Sequence, residues 1–189
     1  MTEDDAPRDP LPRPRHRPFA TVLAWARDLA ISIAIAGVVI VFIYQPVRVE
    51  GTSMLPGLAD QERIFVNKFI YRLGIGEIER GDLVVFWYPG DQSKSYIKRV
   101  IGLPGEVVAI DRGVVSVNGK PIQEDYLPGQ YRDAQSMAPR TVDTGHYFVL
   151  GDHRNSSNDS RNWGLVPRYC IYGKAVFVYW PLEKIGPVR

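Results

Sequence analysis

Cysteine is almost missing from this chain: Cys170 is the single thiol among 189 residues. One thiol forms no intramolecular disulfide and cannot build a zinc site on several thiolates. Its ordinary role is that of a small buried filler. An excess of charge of one sign is missing too. Lys and Arg number 23 against 21 Asp and Glu, a formal net charge of +2. That balance argues against nucleic-acid binding driven by counterion release, although it leaves room for a local basic patch. No repeat of 20–50 residues occurs, which excludes a propeller or a solenoid. Beyond Gln45 no segment holds ten residues of helical periodicity, so the bulk of the chain is not a helical bundle. What remains is ample apolar material, 45% of residues against 23% charged. A packed core is within reach, at a length suited to one modest domain with a small annex.

The apolar residues are unevenly spread. Residues 1–18 hold five of the fifteen prolines together with Arg and acidic residues, and a segment with little apolar surface to bury is expected to be a disordered tail. From Leu29 to Tyr44 no charged residue occurs. Sixteen helical residues reach about 24 Å, short of a hydrocarbon core of about 30 Å. A start near Phe19 or Trp25 closes the gap, with Arg27 snorkelling and Trp25 and Tyr44 at the interfaces. The expectation is a transmembrane anchor over 19–45, ended by Pro46. A buried core helix would show a polar face, and a signal peptide cleaved at Ala34-Ile35-Ala36 would strand a greasy terminus. Arg13, Arg15, Arg17 and Arg27 precede the span and only Arg48 follows closely. The positive-inside rule then puts the N-terminus in the cytoplasm and residues 46–189 outside.

Residues 46–189 read as strands. Arg63–Val66, Leu83–Trp87, Tyr96–Ile101, Val107–Ile110, Val114–Val117, Tyr147–Leu150 and Ala175–Trp180 are short, rich in β-branched and aromatic residues, and bounded by turn formers. Asp111-Arg112-Gly113 and Asn118-Gly119 predict a meander over Val107–Ile122. Gly129–Arg140 reads as an exposed loop. The predicted fold is mainly β: an extracytoplasmic, coiled antiparallel β-barrel or sandwich behind one N-terminal transmembrane helix.

Three stretches fall outside this strand-and-turn grammar. In Glu50-Gly51-Thr52-Ser53-Met54-Leu55-Pro56-Gly57-Leu58, Ser53 sits where an extended segment breaks into a turn. Such a corner presents a hydroxyl and leaves its own N–H free to face an oxyanion; an ordinary turn serine is the plainer alternative. In the run Ser95 to Glu106, Tyr96, Lys98 and Val100 share one strand face. A lysine between an aromatic and a valine is desolvated and loses basicity, as a lysine base requires, since an ordinary amine is neutral in only about one molecule in a thousand at pH 7.4. A lysine snorkelling from an edge strand is the alternative. Gly151 to Gly164 is dense in polar side chains, either solvent-facing filler or a set of cross-ties behind a site. Asp152 and Asp159 lack the alternating spacing of a calcium loop, and the two glycan-type triplets at Asn155 and Asn158 are patterns that arise by chance.

Taken together and in this order, the three stretches resemble the bacterial type I signal peptidases, membrane-anchored Ser–Lys endopeptidases that remove signal peptides from exported proteins. The resemblance covers roughly residues 46–181. It implies that Ser53 is the nucleophile, Lys98 the general base and Ser157 the hydroxyl that orients the lysine amine. It implies structural support from Arg99, Asp152, Asp159 and Arg161. Val49, Met54, Leu58, Ile64, Val85, Tyr96 and Ile97 would line shallow pockets for small residues at positions −1 and −3. Where some members carry a serine that helps hold the oxyanion, this chain has Gly51, which leaves the second donor unassigned. The implied partners are signal-peptide-bearing preproteins and membrane lipid, in a plasma or thylakoid-type membrane, with no nucleic acid, metal or cofactor.

The expected chemistry is acyl transfer in two steps, with the substrate extended against strand edges near Val47–Val49 and Val85. Three other readings use the same residues. A Ser–His–Asp triad would employ His153 with Asp143 or Asp152. A Ser–Lys self-cleaving repressor shares the dyad but carries a DNA-binding domain where this chain has an apolar span. A non-catalytic, membrane-tethered β module binding extended peptides explains the anchor and the strands, but not the three stretches together.

Overall fold

The computed structural model describes residues 18–72 and 76–188; the side chains of 18–21, 39–43 and 72 fall outside that description. The tail expected over 1–18 therefore lies outside the described residues, except for the backbone of Pro18. The chain divides into two units, residues 1–39 and 40–189.

Helix α1 runs Pro18–Ile43. Proline suits a first helical position, where its missing N–H would be unpaired anyway. The described apolar side chains Val22, Leu23, Trp25, Leu29, Ile31, Ile33, Ile35 and Val38 are exposed. At about 100° per residue they face every side of the helix. Among the described residues no helix is long and apolar enough to cross a membrane. The helix stops at Ile43, and Tyr44 and Gln45 already belong to the first strand. Gln45 precedes Pro46, and a residue before proline is pushed from helical to extended backbone.

The second unit contains β1 (Tyr44–Arg48), β2 (Arg63–Asn67), α2 (Phe69–Arg72), β3 (Leu83–Tyr88), β4 (Asp91–Gly102), β5 (Val107–Asp111), β6 (Val114–Val117), β7 (Lys120–Pro121), β8 (Met137–Thr141), β9 (His146–Leu150), α3 (Ser160–Trp163), β10 (Val166–Pro167), β11 (Ile171–Trp180) and β12 (Gly186–Pro187). Eight strands form one sheet in the order β1-β2-β11-β3-β4-β9-β10, with β12 on β11; four form a second in the order β7-β6-β5-β8. The pairings are antiparallel. The fold is thus mainly β and antiparallel. Both predicted turns of the meander take the left-handed backbone that a tight hairpin needs: Arg112 and Gly113 at φ 46 and 81, Asn118 and Gly119 at φ 52 and 76.

The structure departs from the sequence reading in several elements: β1, β7, β10 and β12 are strands beyond those predicted, and β4 begins at Asp91 rather than Tyr96. Two further differences have a physical reason in the sequence. Met137–Thr141, which overlaps the end of the stretch Gly129–Arg140 read as a loop, is a strand at the edge of the second sheet, paired with β5. Its residues are almost all exposed and include Pro139, so it shows no alternation, and proline is tolerated there because an edge strand can spare an N–H. The last long strand starts at Ile171 rather than Ala175. Gly173 lies inside this added stretch: a Cβ there would lie 2.4 Å from Val66 Cγ1, so the Val66 side chain of β2 already fills the space a side chain would need.

Three buried clusters follow from the sheet faces. Val84, Phe86, Val100, Val149 and Ile171, with Cys170, form the first. Val49, Met54, Leu58, Ile64, Val66, Leu83 and Val85 form the second. Ile101, Val108, Ile110, Phe148 and Leu150 join the two sheets in the third.

Candidate active site

Ser53 and Lys98 lie 45 residues apart in sequence and meet side chain to side chain, with Lys98 Nζ 2.6 Å from Ser53 Oγ. Different elements deliver them. Ser53 sits in a turn between β1 and β2 that is tied down at both ends. Val49 exchanges backbone hydrogen bonds with Glu62 and Gln61 (2.8 and 2.9 Å), and the Leu58 N–H donates to Met54 O. Gly51 has φ 92 and open space where a Cβ would go. Backbone conformation rather than crowding favours glycine there. Its N–H donates to Asp60 Oδ1 at 2.8 Å, and the Ser53 N–H has no partner among the described residues.

Lys98 is on β4, opposite Val84 of β3, and only 2% exposed. Burial pulls its ammonium down to about 8, against the opposing pull of the Asp159 and Asp152 charges. Desolvation destabilises the charged form and leaves the neutral amine accessible near physiological pH. Its nitrogen lies 5.6 Å from the centre of the Tyr96 ring.

The segment after β9 closes the site from behind. A Cβ on Gly151 would fall 2.2 Å from Ser157 Oγ and 2.5 Å from Ser53 O, so these two groups converge on one backbone position. Ser157 Oγ is buried and has no hydrogen-bond partner among the described residues. The His153 N–H donates to Ser53 O at 3.0 Å. The His153 ring meets Thr52 O through Nδ1 at 3.0 Å and stands edge-on to Tyr131. It therefore holds the backbone of the serine turn, and among the described residues no carboxylate hydrogen-bonds that ring. A triad through His153 is not what the geometry assembles.

The charged residues flanking the dyad pair with one another. Arg99 makes a two-pronged contact with Asp152, at 2.8 and 2.7 Å, and donates to Gly81 O at 2.9 Å; both side chains are buried. Arg161 reaches Asp159 Oδ1 at 2.8 Å, Asp133 and Arg154 O. Asp159 Oδ2 accepts from the Gly151 N–H. Sequence reasoning missed the next layer, in which buried Arg154 pairs with buried Glu124 and Tyr126, while Arg99 stacks 4.0 Å from the centre of the Tyr126 ring. The only available signal was the density of charge in 151–164, because Glu124 lies thirty residues upstream.

A cleft of about 170 Å³ opens beside the dyad, lined by Val47, Val49, Met54, Val85, Tyr96, Ile97 and Tyr172 among others. That is small against the ~300–1,000 Å³ of pockets for drug-sized ligands, and suits short side chains. Of the seven residues expected to line it, five do; Leu58 and Ile64 are fully buried in the second cluster behind Val49, Met54 and Val85. The expected edge near Val85 is not one, because β3 is paired on both sides, with β4 and β11. The edge expected near Val47 is one, because β1 ends its sheet and among the described residues pairs only with β2; a second open edge belongs to β4. Its partner β9 pairs only with Arg99, Val100 and Gly102, so among the described residues nothing pairs with 91–98 on that side.

The family profile described as signal peptidase, peptidase S26, matches residues 22–180. The chain belongs to this peptidase family. It is 40% identical to signal peptidase I of Bacillus amyloliquefaciens, with all of both chains covered. It is 39% identical to signal peptidase I T of Bacillus subtilis strain 168, over 89% of this chain and 91% of that one. A crystal structure of a signal peptidase I from Enterococcus faecalis V583 is 32% identical, covers 52% of this chain and 96% of its own, and has a TM-score of 0.46. The dyad, the cleft and the paired charges all lie within the stretch that the S26 family matches.

Proposed function

We propose that this S26 family member is a signal peptidase I: a membrane-bound serine endopeptidase that cuts signal peptides from exported preproteins after a small-x-small sequence, with Ser53 as nucleophile and Lys98 as general base. The observation that carries this reading is the 2.6 Å contact between a hydroxyl and a buried amine titrating near 8. Neutral Lys98 accepts the Ser53 proton as Oγ attacks the carbonyl carbon of residue −1. The carbonyl oxygen becomes an oxyanion beside the free Ser53 N–H. As the C–N bond breaks, protonated Lys98 returns its proton to the leaving amine, and an ester on Ser53 remains. Water then attacks the ester, Lys98 taking its proton and handing it to Ser53 Oγ. The unpaired Ser157 hydroxyl is suited to accept from the ammonium and hold its rotamer. Arg99, Asp152, Asp159 and Arg161 hold the strands that carry these groups. No step requires a metal or an organic cofactor.

Substrate selection follows from the cleft. An extended peptide adds to the open edge of β4, facing β1 across the cleft, so backbone hydrogen bonds tolerate varied sequence while the small volume restricts positions −1 and −3. Residues 1–18 are the cytoplasmic tail, 19–45 the anchor and 46–189 the extracytoplasmic peptidase domain. Support comes from the uncharged run Leu29–Tyr44, the apolar side chains exposed around α1 and the arginine bias before the span. In right-side-out vesicles, protease should reach residues 46–189 and spare the tail; the opposite pattern overturns this topology.

The chemistry is tested with detergent-solubilised protein and a preprotein. Lys98→Met and Ser53→Ala are expected to lower the appearance of the new N-terminus by about 10²–10⁴, whereas His153→Ala retains cleavage. Survival of Lys98→Met with loss of His153→Ala would reverse the assignment, and peptide binding with no cleavage by the unaltered protein would favour a binding module.

A further inference from the structure

The apolar floor of the cleft continues outward past the dyad. On β3, Leu83 and Val85 are buried in the second cluster, and Trp87, two residues further along the same face, is 42% exposed. Its cross-strand partner on β4 is Ser95, exposed and too small to cover an indole. On the other side is Tyr172 of β11, its ring centre 4.7 Å from that of Trp87. Tyr172 itself lines the cleft, and Lys68 Nζ lies 5.4 Å from the centre of its ring. The two rings therefore extend the cleft wall in the direction from Ile97 to Ser95.

Strand periodicity selects the substrate residue that arrives there. The open edge of β4 ends at Lys98, because β9 occupies it from Arg99 onward. A peptide with its scissile carbonyl at Ser53 must lay its preceding residues beside 97, 96 and 95. Side chains of an extended strand alternate, so −1, −3 and −5 share a face and stand about 6.6 Å apart. Val85 and Trp87 are separated by the same step on a neighbouring strand. With −1 and −3 over Met54 and Val85, residue −5 comes over Trp87 and Tyr172.

We propose that Trp87 and Tyr172 form an additional apolar subsite that takes a bulky apolar side chain at position −5 of the extended substrate. The inference rests on the endopeptidase reading for the position of the scissile bond. The inner positions are enclosed and demand small residues. The outer one is an open aromatic platform and gains from bulk, since a leucine there hides more apolar surface than an alanine.

The test uses the full chain carrying Ser53→Ala in detergent micelles, with two isomeric peptides that both have Ala at −1 and −3. One has Leu at −5 and Ala at −4; the other has them exchanged. Identical composition gives equal partitioning into micelles, so calorimetric affinities are directly comparable. The Leu(−5) isomer is expected to bind about fivefold tighter or better. Adding Trp87→Ala should bring the ratio to near unity, and Trp87→Phe should keep most of it. Equal affinity of the two isomers for the Trp87 protein overturns the subsite, as does a ratio unaffected by Trp87→Ala. Cleavage of the same peptides by the Ser53 protein is scored separately. Cleavage of both with no affinity difference sinks the subsite and leaves the peptidase standing. Tighter binding of the Leu(−5) isomer with neither cleaved sinks the peptidase reading and leaves the subsite.

Discussion

At the scale of single residues, the burial of Lys98 has consequences for both rate and stability. Its amine titrates at about 8 instead of the ordinary 10.5. Cleavage limited by chemistry should therefore rise with pH and level off above about 8, and a profile flat from pH 5 to 9 would exclude a lysine base. The stability effect has a definite sign. Between about 8 and 10.5 the unfolded chain holds the Lys98 proton and the folded chain does not, so folding is favoured more as pH rises through that window. Below it both states are protonated and the whole cost of the buried charge is felt, up to about 3 kcal/mol. Lys98→Met should accordingly raise Tm at pH 7, by a margin that shrinks as pH climbs toward the ordinary lysine range. A Tm that falls equally at both pH values would mean that the amine is not buried at a cost.

At the scale of elements, β4 carries both the proposed base, Lys98, and the ion-paired Arg99 beside it. Neighbouring residues divide the work: Lys98 faces Ser53, while Arg99 pairs with Asp152 beyond β9 and with Gly81 before β3. Arg99→Ala leaves Asp152 buried without the guanidinium that hydrogen-bonds both its oxygens, which should cost about 3–5 kcal/mol. Urea unfolding would read this directly, and a midpoint close to that of the unaltered protein would show that the pair is not a brace. The strands that sequence reading located are those with a buried face: Leu83–Trp87 and Tyr147–Leu150, buried on both faces, leave a continuous apolar run, and Val107–Ile110 and Val114–Val117, buried on one, leave an alternation. It passed over Met137–Thr141, whose exposed edge position leaves no pattern, and the start of β11, where Gly173 makes room for the Val66 side chain of the neighbouring strand. The site was legible where an unusual residue occupies a strand or turn, as with Ser53, Lys98 and the charged run after Gly151. The roles of Glu124, Tyr126 and His153 were not, because they depend on contacts made by chain folding across long separations.

At the scale of the whole molecule, the proposed substrate edge and the proposed base lie on one strand, the edge along the open margin of β4 and Lys98 where that margin closes, with Ser53 brought to it by the turn between β1 and β2. β4 is unpaired on one side as far as Lys98 and gripped by β9 from Arg99 onward. The sheet thus has an end stop. A guest strand can run along the margin up to the dyad, but beyond the severed bond there is no vacant backbone for it to join, and the mature portion must turn away into solvent. Peptides N-methylated at alternate amides within −5 to −1 should lose about two- to tenfold in kcat/KM, one hydrogen bond's worth. The same modification at +2 and beyond should cost almost nothing, and equal losses on both sides would show that the margin continues past the stop. On this account the enzyme measures where to cut by how far a strand can advance, which lets it accept mature proteins of any sequence.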